Sequence, residues 1–202
     1  MFYRIEEGHG LQHDPFAAIV SPRPIAWISS RDAEGRANLA PYSFFTAVAY
    51  KPPQIVVSSI GAKPDRGQAK DTFDNIRATG VFCVNIAGRA DAERLNASSA
   101  PFPREMDEFA VLGIETQPCE TIDCPRVANA PAALECRFVS FLPLAGEKNL
   151  LMIGEVCAVH LRDDCLTGDG RFDVRRYHPL ARLGYLDFAA VDRVFELKRP
   201  KA

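Results

Sequence analysis

The clearest pattern along the chain is the alternation of apolar and polar residues over short stretches, which is typical of β-strands with one face in a core. It is longest in ALECRFVSFLPL and LLMIGEVCAVHLRD, which we expect to pair as a hairpin through AGEKN. The first half predicts further strands over the segments PIAWISS, NLAPYSFFTAVAY, QIVVSSI and VFCVNIA. We expect a break at Pro41 in the second of these, and burial of both faces in the β-branched QIVVSSI.

Helical segments are few and short. A helix capped by Asp71 or Thr72 would bury Phe73 and Ile76 on one face and end at Gly80. Two more short helices are predicted within RADAERLNASS and PREMDEFAVLG. Many strands with few short helices favour a closed or nearly closed barrel, because closure removes exposed strand edges.

Length and charge limit the class of protein. The 202 residues, 47% of them hydrophobic, fit one domain over 1–202, in which we expect the tail 173–202 to wrap the barrel or a partner subunit. Because 24 basic residues balance 26 acidic ones, we expect no binding to nucleic acid or anionic membranes. The first residues are polar and charged and no apolar run is long enough to span a bilayer, so we expect a cytoplasmic protein.

Six cysteines are present, and without a secretion signal we expect them to remain thiols. Cys83, Cys136 and Cys157 lie in apolar runs, as small core residues do. The remaining three are Cys119, Cys124 and Cys165. The four histidines are scattered and CETIDC has four intervening residues, so no zinc-binding spacing is complete and we predict no metal site.

The helix predicted after Lys70 begins with features of an anion site. Lys63, Arg66 and Lys70 precede the N–H groups of its first turn, and Thr72 adds a hydroxyl donor. A phosphate is the anion that such a turn suits. An ordinary solvated loop before a capped helix fits the same residues, and neither GxxxxGK[ST] nor GxGxxG is present.

Three segments that follow one another at strand-and-turn intervals, SPRPIAWIS, NLAPYSFF and SSIGAKPDRGQAKDT, resemble the flavin reductase-like family of FMN-binding split barrels. The resemblance covers residues 15–87, and YHPLARLG near the end is similar to a later family element. It implies a mainly β fold with short helices, a Greek-key-like split barrel. It also implies bound FMN and a homodimer with the cofactor at the subunit interface.

The resemblance also implies which residues hold FMN. The phosphate would lie at the start of the predicted helix, the ribityl chain and ring edge along the second segment, and the pyrimidine ring beside Arg23, while the tail would approach the flavin edge, from the same or the neighbouring subunit. The candidate residues are Arg23, Pro24, Asn38, Ala40, Pro41, Tyr42, Ser43, Ser58, Ser59, Lys70, Asp71, Thr72, His178 and Arg182.

Several polar or aromatic residues have plainer interpretations. Trp27 alternates with Ile25 and is expected in the core. Asn38 can serve a hairpin, and His178 and Arg182 can brace the tail. We interpret His160 and Glu155 as polar residues of the barrel or an interface. We expect them on opposite faces of one long strand, so we do not interpret them as an acid–base pair.

The expected function is that of an NAD(P)H-dependent flavin reductase-like oxidoreductase, in which FMN is tightly bound or cycles as a substrate. Hydride transfer from a nicotinamide to the flavin requires stacking and an open ring face, so no catalytic side chain or metal is predicted. Two alternatives remain open. One is an electron carrier or a reductase of a quinone, nitro compound or iron complex, and the other is a non-enzymatic flavin-binding module.

Overall fold

A computed structural model describes residues 1–61 and 70–200 of the chain. Twelve strands are present in this part. They are β1 (Arg23–Pro24), β2 (Ala26–Arg31), β3 (Ala37–Tyr42), β4 (Phe45–Tyr50), β5 (Pro53–Ser59), β6 (Val81–Ile86), β7 (Thr116–Pro118), β8 (Pro125–Val127), β9 (Ala132–Pro143), β10 (Leu150–Leu161), β11 (Leu180–Arg182) and β12 (Phe188–Ala190). The β9–β10 hairpin confirms the pairing expected of the two long alternating segments.

Seven of these strands form one antiparallel sheet in the order β3-β2-β6-β9-β10-β5-β4. The two edge strands, β3 and β4, are joined by residues 43–44 alone, so the sheet has to curl until its edges meet. Closure of this kind leaves a split between the edges. The mainly β barrel predicted from the alternation is therefore confirmed.

The core is divided between the inside of the barrel and its outer surface. The inner cluster is built around Phe73, Phe82 and Met152, all fully buried. A second cluster packs Trp27 and Leu39 from the other side of the sheet against short helices. Because β2 contributes to both clusters, its successive side chains are buried on both faces.

Four α-helices accompany the sheet, and within the described ranges none is long and apolar enough to cross a membrane. They are α1 (Phe16–Ile19), α2 (Asp71–Thr79), α3 (Ala92–Ala97) and α4 (Glu108–Val111). The predicted burial of Phe73 and Ile76 and the end of α2 at Gly80, with a φ of 75°, are confirmed. The predicted cap is wrong, because Lys70 is the N-cap residue and makes no side-chain capping bond.

Two details of the strands differ from expectation. The chain does not break at Pro41, since β3 continues to Tyr42 and the turn lies at residues 43–44. Pro41 is tolerated because β3 is an edge strand, where a missing N–H costs no ladder bond. The segment QIVVSSI is buried on one face only, because β5 is antiparallel to both of its neighbours and its burial alternates.

The tail returns to the start of the chain. Strand β11 pairs with β1 and β12 pairs with β11, which forms a small separate sheet. The guanidinium of Arg23 donates to the carbonyls of Ala17, Val20 and Leu183, so one buried cation ties the tail to α1. The predicted wrapping around a partner subunit stays a prediction.

Substitution of Gly184 should loosen this junction. A Cβ added there would lie 2.7 Å from the Cα of Ala18, a backbone atom of α1 that cannot move aside. We expect Gly184→Ala to lower the free energy of unfolding by about 1 to 3 kcal/mol, as overpacking does. Gly168→Ala is the matched control, since nothing lies within 4 Å of its new Cβ. Equal midpoints of urea denaturation for the two variants would contradict the close packing described.

Candidate functional site

Two adjoining cavities open beside the C-terminal end of β3, one of about 620 Å³ and one of about 190 Å³. Both are lined by Pro41, Tyr42 and Ser99, and we call the pair of cavities the groove. The smaller cavity reaches the N-terminus of α2, and the larger one reaches β11 and β12. Candidate residues that line the groove are Asn38, Ala40, Pro41, Tyr42, Ser43, Lys70, Asp71, Thr72 and Arg182.

The smaller cavity is lined by the first turn of α2. Lys70, Asp71 and Thr72 all contribute to its wall, and the ammonium of Lys70 lies 5.3 Å from the ring centre of Tyr42. The first N–H groups of a helix have no intrahelical acceptor, and the helix dipole adds positive potential at the same end. This end of the groove is therefore suited to a small anion. Lys63 and Arg66 of the predicted loop lie outside the described residues.

A buried chain of hydrogen bonds fixes the polar groups behind this turn. The hydroxyl of Thr72 donates to the side-chain oxygen of Asn38 over 2.7 Å, and the Asn38 amide donates to Glu108 over 2.9 Å. The second carboxylate oxygen of Glu108 accepts from the backbone N–H of Leu39 over 3.0 Å. The buried carboxylate thus orients Asn38, which in turn orients Thr72.

Loss of this carboxylate should destabilise the protein. We expect Glu108→Ala to cost about 2 kcal/mol in the free energy of unfolding, because the N–H of Leu39 and the Asn38 amide would stay buried without their acceptor. Glu115→Ala, at an exposed carboxylate that follows α4, is the control. Chemical denaturation of both variants measures the difference, and a loss no larger for Glu108 than for Glu115 would show that the carboxylate is not structural.

The hydroxyl of Tyr42 makes no hydrogen bond of normal geometry in the described part of the chain, although the Thr72 hydroxyl lies near it. The residue is 4% exposed, and its burial raises the pKa of the phenol. A buried polar group with no partner is costly, so such atoms point to a missing ligand or water. The hydroxyl of Ser59 is likewise buried and unpartnered at the end of β5.

The larger cavity is lined by apolar side chains and by the cationic Arg182. Ile25 and Pro41 contribute to the wall. Arg182 lies at the far end, where its guanidinium is 4.4 Å from the ring centre of Phe188 and donates to the carbonyl of Tyr185. A planar ring with a polar edge fits this combination of surfaces.

Residues 20–181 match the family model described as the flavin reductase like domain. The chain belongs to this family. The matched range includes the groove residues from Ile25 to Glu108, while Arg182, Leu186 and Phe188 of the groove lie beyond it.

Solved structures with the same fold support the assignment of this chain to the flavin reductase-like family. The 2-nitrobenzoate 2-nitroreductase NbaA of Pseudomonas fluorescens is 30% identical with a TM-score of 0.80, over 91% of this chain and 88% of that one. Component B of nitrilotriacetate monooxygenase from Bacillus cereus is 29% identical with a TM-score of 0.83, over 94% and 100%. A split barrel domain protein from Shewanella frigidimarina is 22% identical with a TM-score of 0.83, over 99% and 100%, which confirms the predicted split barrel.

Five candidate residues of this flavin reductase-like protein lie outside the lining of the groove. Arg23 is occupied by three backbone carbonyls, and His178 lies exposed with its Nδ1 3.3 Å from the carbonyl of Val191. The other three are Pro24, Ser58 and Ser59. Their contact with a cofactor stays a prediction. Trp27 is a core residue as expected, with its indole N–H donating to Ser98 over 2.9 Å.

The groove also contains residues that the sequence did not single out. Ser99, Asn96 and Arg89 reach it from α3 and the turn before it, and Glu108 reaches it from α4. Both helices were predicted, but their short lengths give no periodicity from which an inward-facing residue could be found. The two serines that follow α3 were the one sequence signal for polar residues at this point, because hydroxyls at a helix end often make local hydrogen bonds.

Proposed function

We propose that the protein is an NAD(P)H-dependent, FMN-binding oxidoreductase whose groove holds the cofactor. The observation that carries this proposal is the continuity of the groove, from the N-terminus of α2 past the unpartnered Tyr42 hydroxyl to the apolar wall and Arg182. Bound FMN would accept a hydride from a nicotinamide and pass electrons to an acceptor. Membership of the flavin reductase-like family supports the same conclusion.

Each part of the groove suits one part of the cofactor. Lys70 and the first turn of α2 would hold the phosphate by charge and by N–H donors. The Thr72 hydroxyl, which donates to Asn38 in the structure, would turn its O–H to the phosphate. Tyr42 would hydrogen-bond the ribityl chain or the ring edge, which would satisfy its buried hydroxyl. Pro41 and Ile25 would exclude water from one ring face, and Arg182 would favour negative charge near the ring. These side chains bind and orient, and none is required to transfer a proton.

The test is a visible absorbance spectrum of the purified protein, release and identification of its chromophore, and steady-state oxidation of NADH and NADPH with and without added flavin. We expect a flavin spectrum after reconstitution with FMN and turnover with at least one nicotinamide. If the protein binds FMN but oxidises neither NADH nor NADPH, the reductase proposal is contradicted and the protein is a non-enzymatic flavin-binding protein. Absence of FMN binding would contradict the cofactor proposal as well.

Nitroaromatic compounds are a second candidate class of acceptor. The similarity to a 2-nitrobenzoate 2-nitroreductase over most of both chains favours this class, and the cationic side chains of Arg89 and Arg182 line the larger cavity, where a carboxylate substituent could pair with them. Nicotinamide oxidation that rises with 2-nitrobenzoate, without free flavin, would favour the nitroreductase. Oxidation that rises with free flavin alone would favour the flavin reductase.

A homodimer is the proposed assembly. Three strands carry an exposed valine, at Val48 of β4, Val139 of β9 and Val159 of β10. Exposed apolar patches of this kind mark interfaces. Sedimentation at micromolar concentration should give a dimer for the wild type and a monomer for Val139→Lys with Val159→Lys. A wild-type monomer would contradict the proposal.

A further inference from the structure

The hairpin of β7 and β8 places two cysteines opposite each other on the far side of the sheet from the barrel interior. Its register pairs Pro118 with Pro125, so the next pair along the ladder is Cys119 with Cys124. The N–H of Cys119 donates to the carbonyl of Cys124 over 3.0 Å. The N–H of Cys124 donates to the carbonyl of Ile122 instead of returning a second bond to Cys119. Directly opposed residues of an antiparallel pair have Cα atoms about 4.5 to 5.5 Å apart. That separation lies within the range that a disulfide spans, which is about 4.4 to 6.8 Å.

The two thiols share a small cluster with a third. Cys124 and Cys83 are buried together with Ile122, and Cys119 is half-buried against them. The Cys124 thiol also lies 3.2 Å from the carbonyl of Ser29, which fixes its position against β2. All three are free thiols in the structure, and those of Cys119 and Cys124 lie close enough to hydrogen-bond.

The environment makes the two cysteines of the pair unequal. Hydrogen bonds from the thiols of Cys124 and Cys83 lower the pKa of Cys119. The same contacts, together with burial, raise the pKa of Cys124 and of Cys83. Two titratable side chains also face Cys119: Glu135 raises its pKa and His160 lowers it. Cys119 is therefore the more readily ionised thiol of the pair, which makes it the better nucleophile.

The turn between the two cysteines is held rigidly. The fully buried carboxylate of Glu135 accepts from the N–H of Glu120 over 2.7 Å and from the N–H of Thr121 over 2.8 Å. His160 Nε2 lies 2.5 Å from the same carboxylate. Because both anchored N–H groups directly follow Cys119, the hairpin keeps its thiol in place beside Cys124. A bond between the two sulfurs therefore requires no opening of the hairpin.

We propose that Cys119 and Cys124 form a peroxide-reactive dithiol, with Cys119 attacked first and Cys124 closing a disulfide across the hairpin. The Cys119 thiolate attacks one oxygen of hydrogen peroxide, the O–O bond breaks, and the hydroxide released takes a proton to leave as water. The Cys124 sulfur then attacks the resulting sulfenic acid, the S–O bond breaks, and the second water leaves with the Cys124 proton. Two thiols lose two electrons, and one peroxide is reduced to two waters.

A small oxidant is favoured because of where Cys119 lies. It is half-buried behind the turn, which admits hydrogen peroxide more readily than the disulfide of another protein. Cys157 is the competing thiol. It was expected in the core, but it is exposed, because it occupies an irregularity where β10 loses register with β9, and its sulfur lies 3.4 Å from the Thr121 hydroxyl. The Cys157 sulfur also lies 3.3 Å from the carbonyl of Glu135, and Cys157 serves as the control cysteine.

The test is peptide mapping of the wild-type protein after reduction, removal of reductant and treatment with one equivalent of hydrogen peroxide, without nicotinamide. Trypsin releases residues 105–126 as one peptide that contains both Cys119 and Cys124. We expect this peptide to escape alkylation and to be lighter by two hydrogen atoms, and dithiothreitol to reverse both changes. Cys157→Ser should leave this result unchanged.

Two variants identify the order of events. In Cys124→Ser, the sulfenic acid of Cys119 has no partner within the hairpin and should be trapped by dimedone, whereas Cys119→Ser should leave Cys124 fully alkylated. The peptide map of the wild-type protein does not depend on either variant, so misfolding of a variant cannot hide the disulfide. Full alkylation of both cysteines after peroxide treatment would overturn the proposal, and so would a disulfide from Cys119 to Cys83 or Cys157.

Discussion

Replacement of Lys70 and Thr72 by Ala should weaken FMN binding by about 100-fold, or about 10-fold for each residue alone. Each substitution removes one contact to the phosphate, and a hydrogen bond to a charged group contributes roughly 1.5 to 3 kcal/mol. Both side chains line the smaller cavity at the N-terminus of α2. Fluorescence titration of the apoprotein with FMN measures the change.

Two controls separate the phosphate contact from general damage. Arg77→Ala removes a cation from the same helix at its other end, where the side chain pairs with Asp74, and should leave FMN affinity unchanged. Riboflavin lacks the phosphate, so the wild type and the double variant should bind it equally. An equal loss of affinity for FMN and riboflavin would show that the groove, and not a phosphate contact, had been damaged.

Glu135→Ala should lower the free energy of unfolding by about 3 to 5 kcal/mol, because it leaves buried donors without the charged acceptor that they share. The carboxylate is fully buried and accepts two backbone N–H groups, the Thr121 hydroxyl over 2.5 Å and His160. Glu120→Ala, at the exposed side chain of the same turn, is the matched control and should change stability little. Urea denaturation at neutral pH measures both.

The stabilisation by Glu135 should also depend on pH. Burial raises the pKa of this carboxyl, but hydrogen bonds from Thr121, from the backbone of Glu120 and from His160 outweigh it and lower the pKa from 4.5 to about 2. A depressed folded-state pKa gives stability that is complete above 4.5 and is lost as the pH falls towards 2. The difference in unfolding free energy between the wild type and Glu135→Gln should therefore be larger at pH 7 than at pH 3. A constant difference would contradict the ionised carboxylate.

The alternation of the sequence was sufficient to predict the barrel, because strands with one face in a core have to repeat every two residues. The long hairpin of β9 and β10 and the short β6 follow directly from that period. The alternation could not predict how the sheet closes into a barrel. Closure depends on β3 and β4, which lie at opposite edges of the sheet and are joined only by residues 43–44. Pairing between distant segments leaves no local signal in the chain.

The sequence could point to candidate site residues only where they lie close together in one short segment. Lys70 and Thr72 were proposed because a cation and a hydroxyl at the start of a helix form a local pattern, and both line the groove. Glu108 was missed, because its role depends on Asn38 and Leu39, which are about seventy residues away in the chain. Arg23 was assigned to the flavin from its position between two prolines, whereas its guanidinium binds three backbone carbonyls; that assignment stays a prediction.

A crystal structure of the protein with FMN is the most direct test of the groove as the cofactor site. The phosphate should lie within hydrogen-bond distance of Thr72 and the first turn of α2, with the ring between Pro41 and Arg182. Electron density for the phosphate away from this turn, or for the ring outside the larger cavity, would contradict the proposed site.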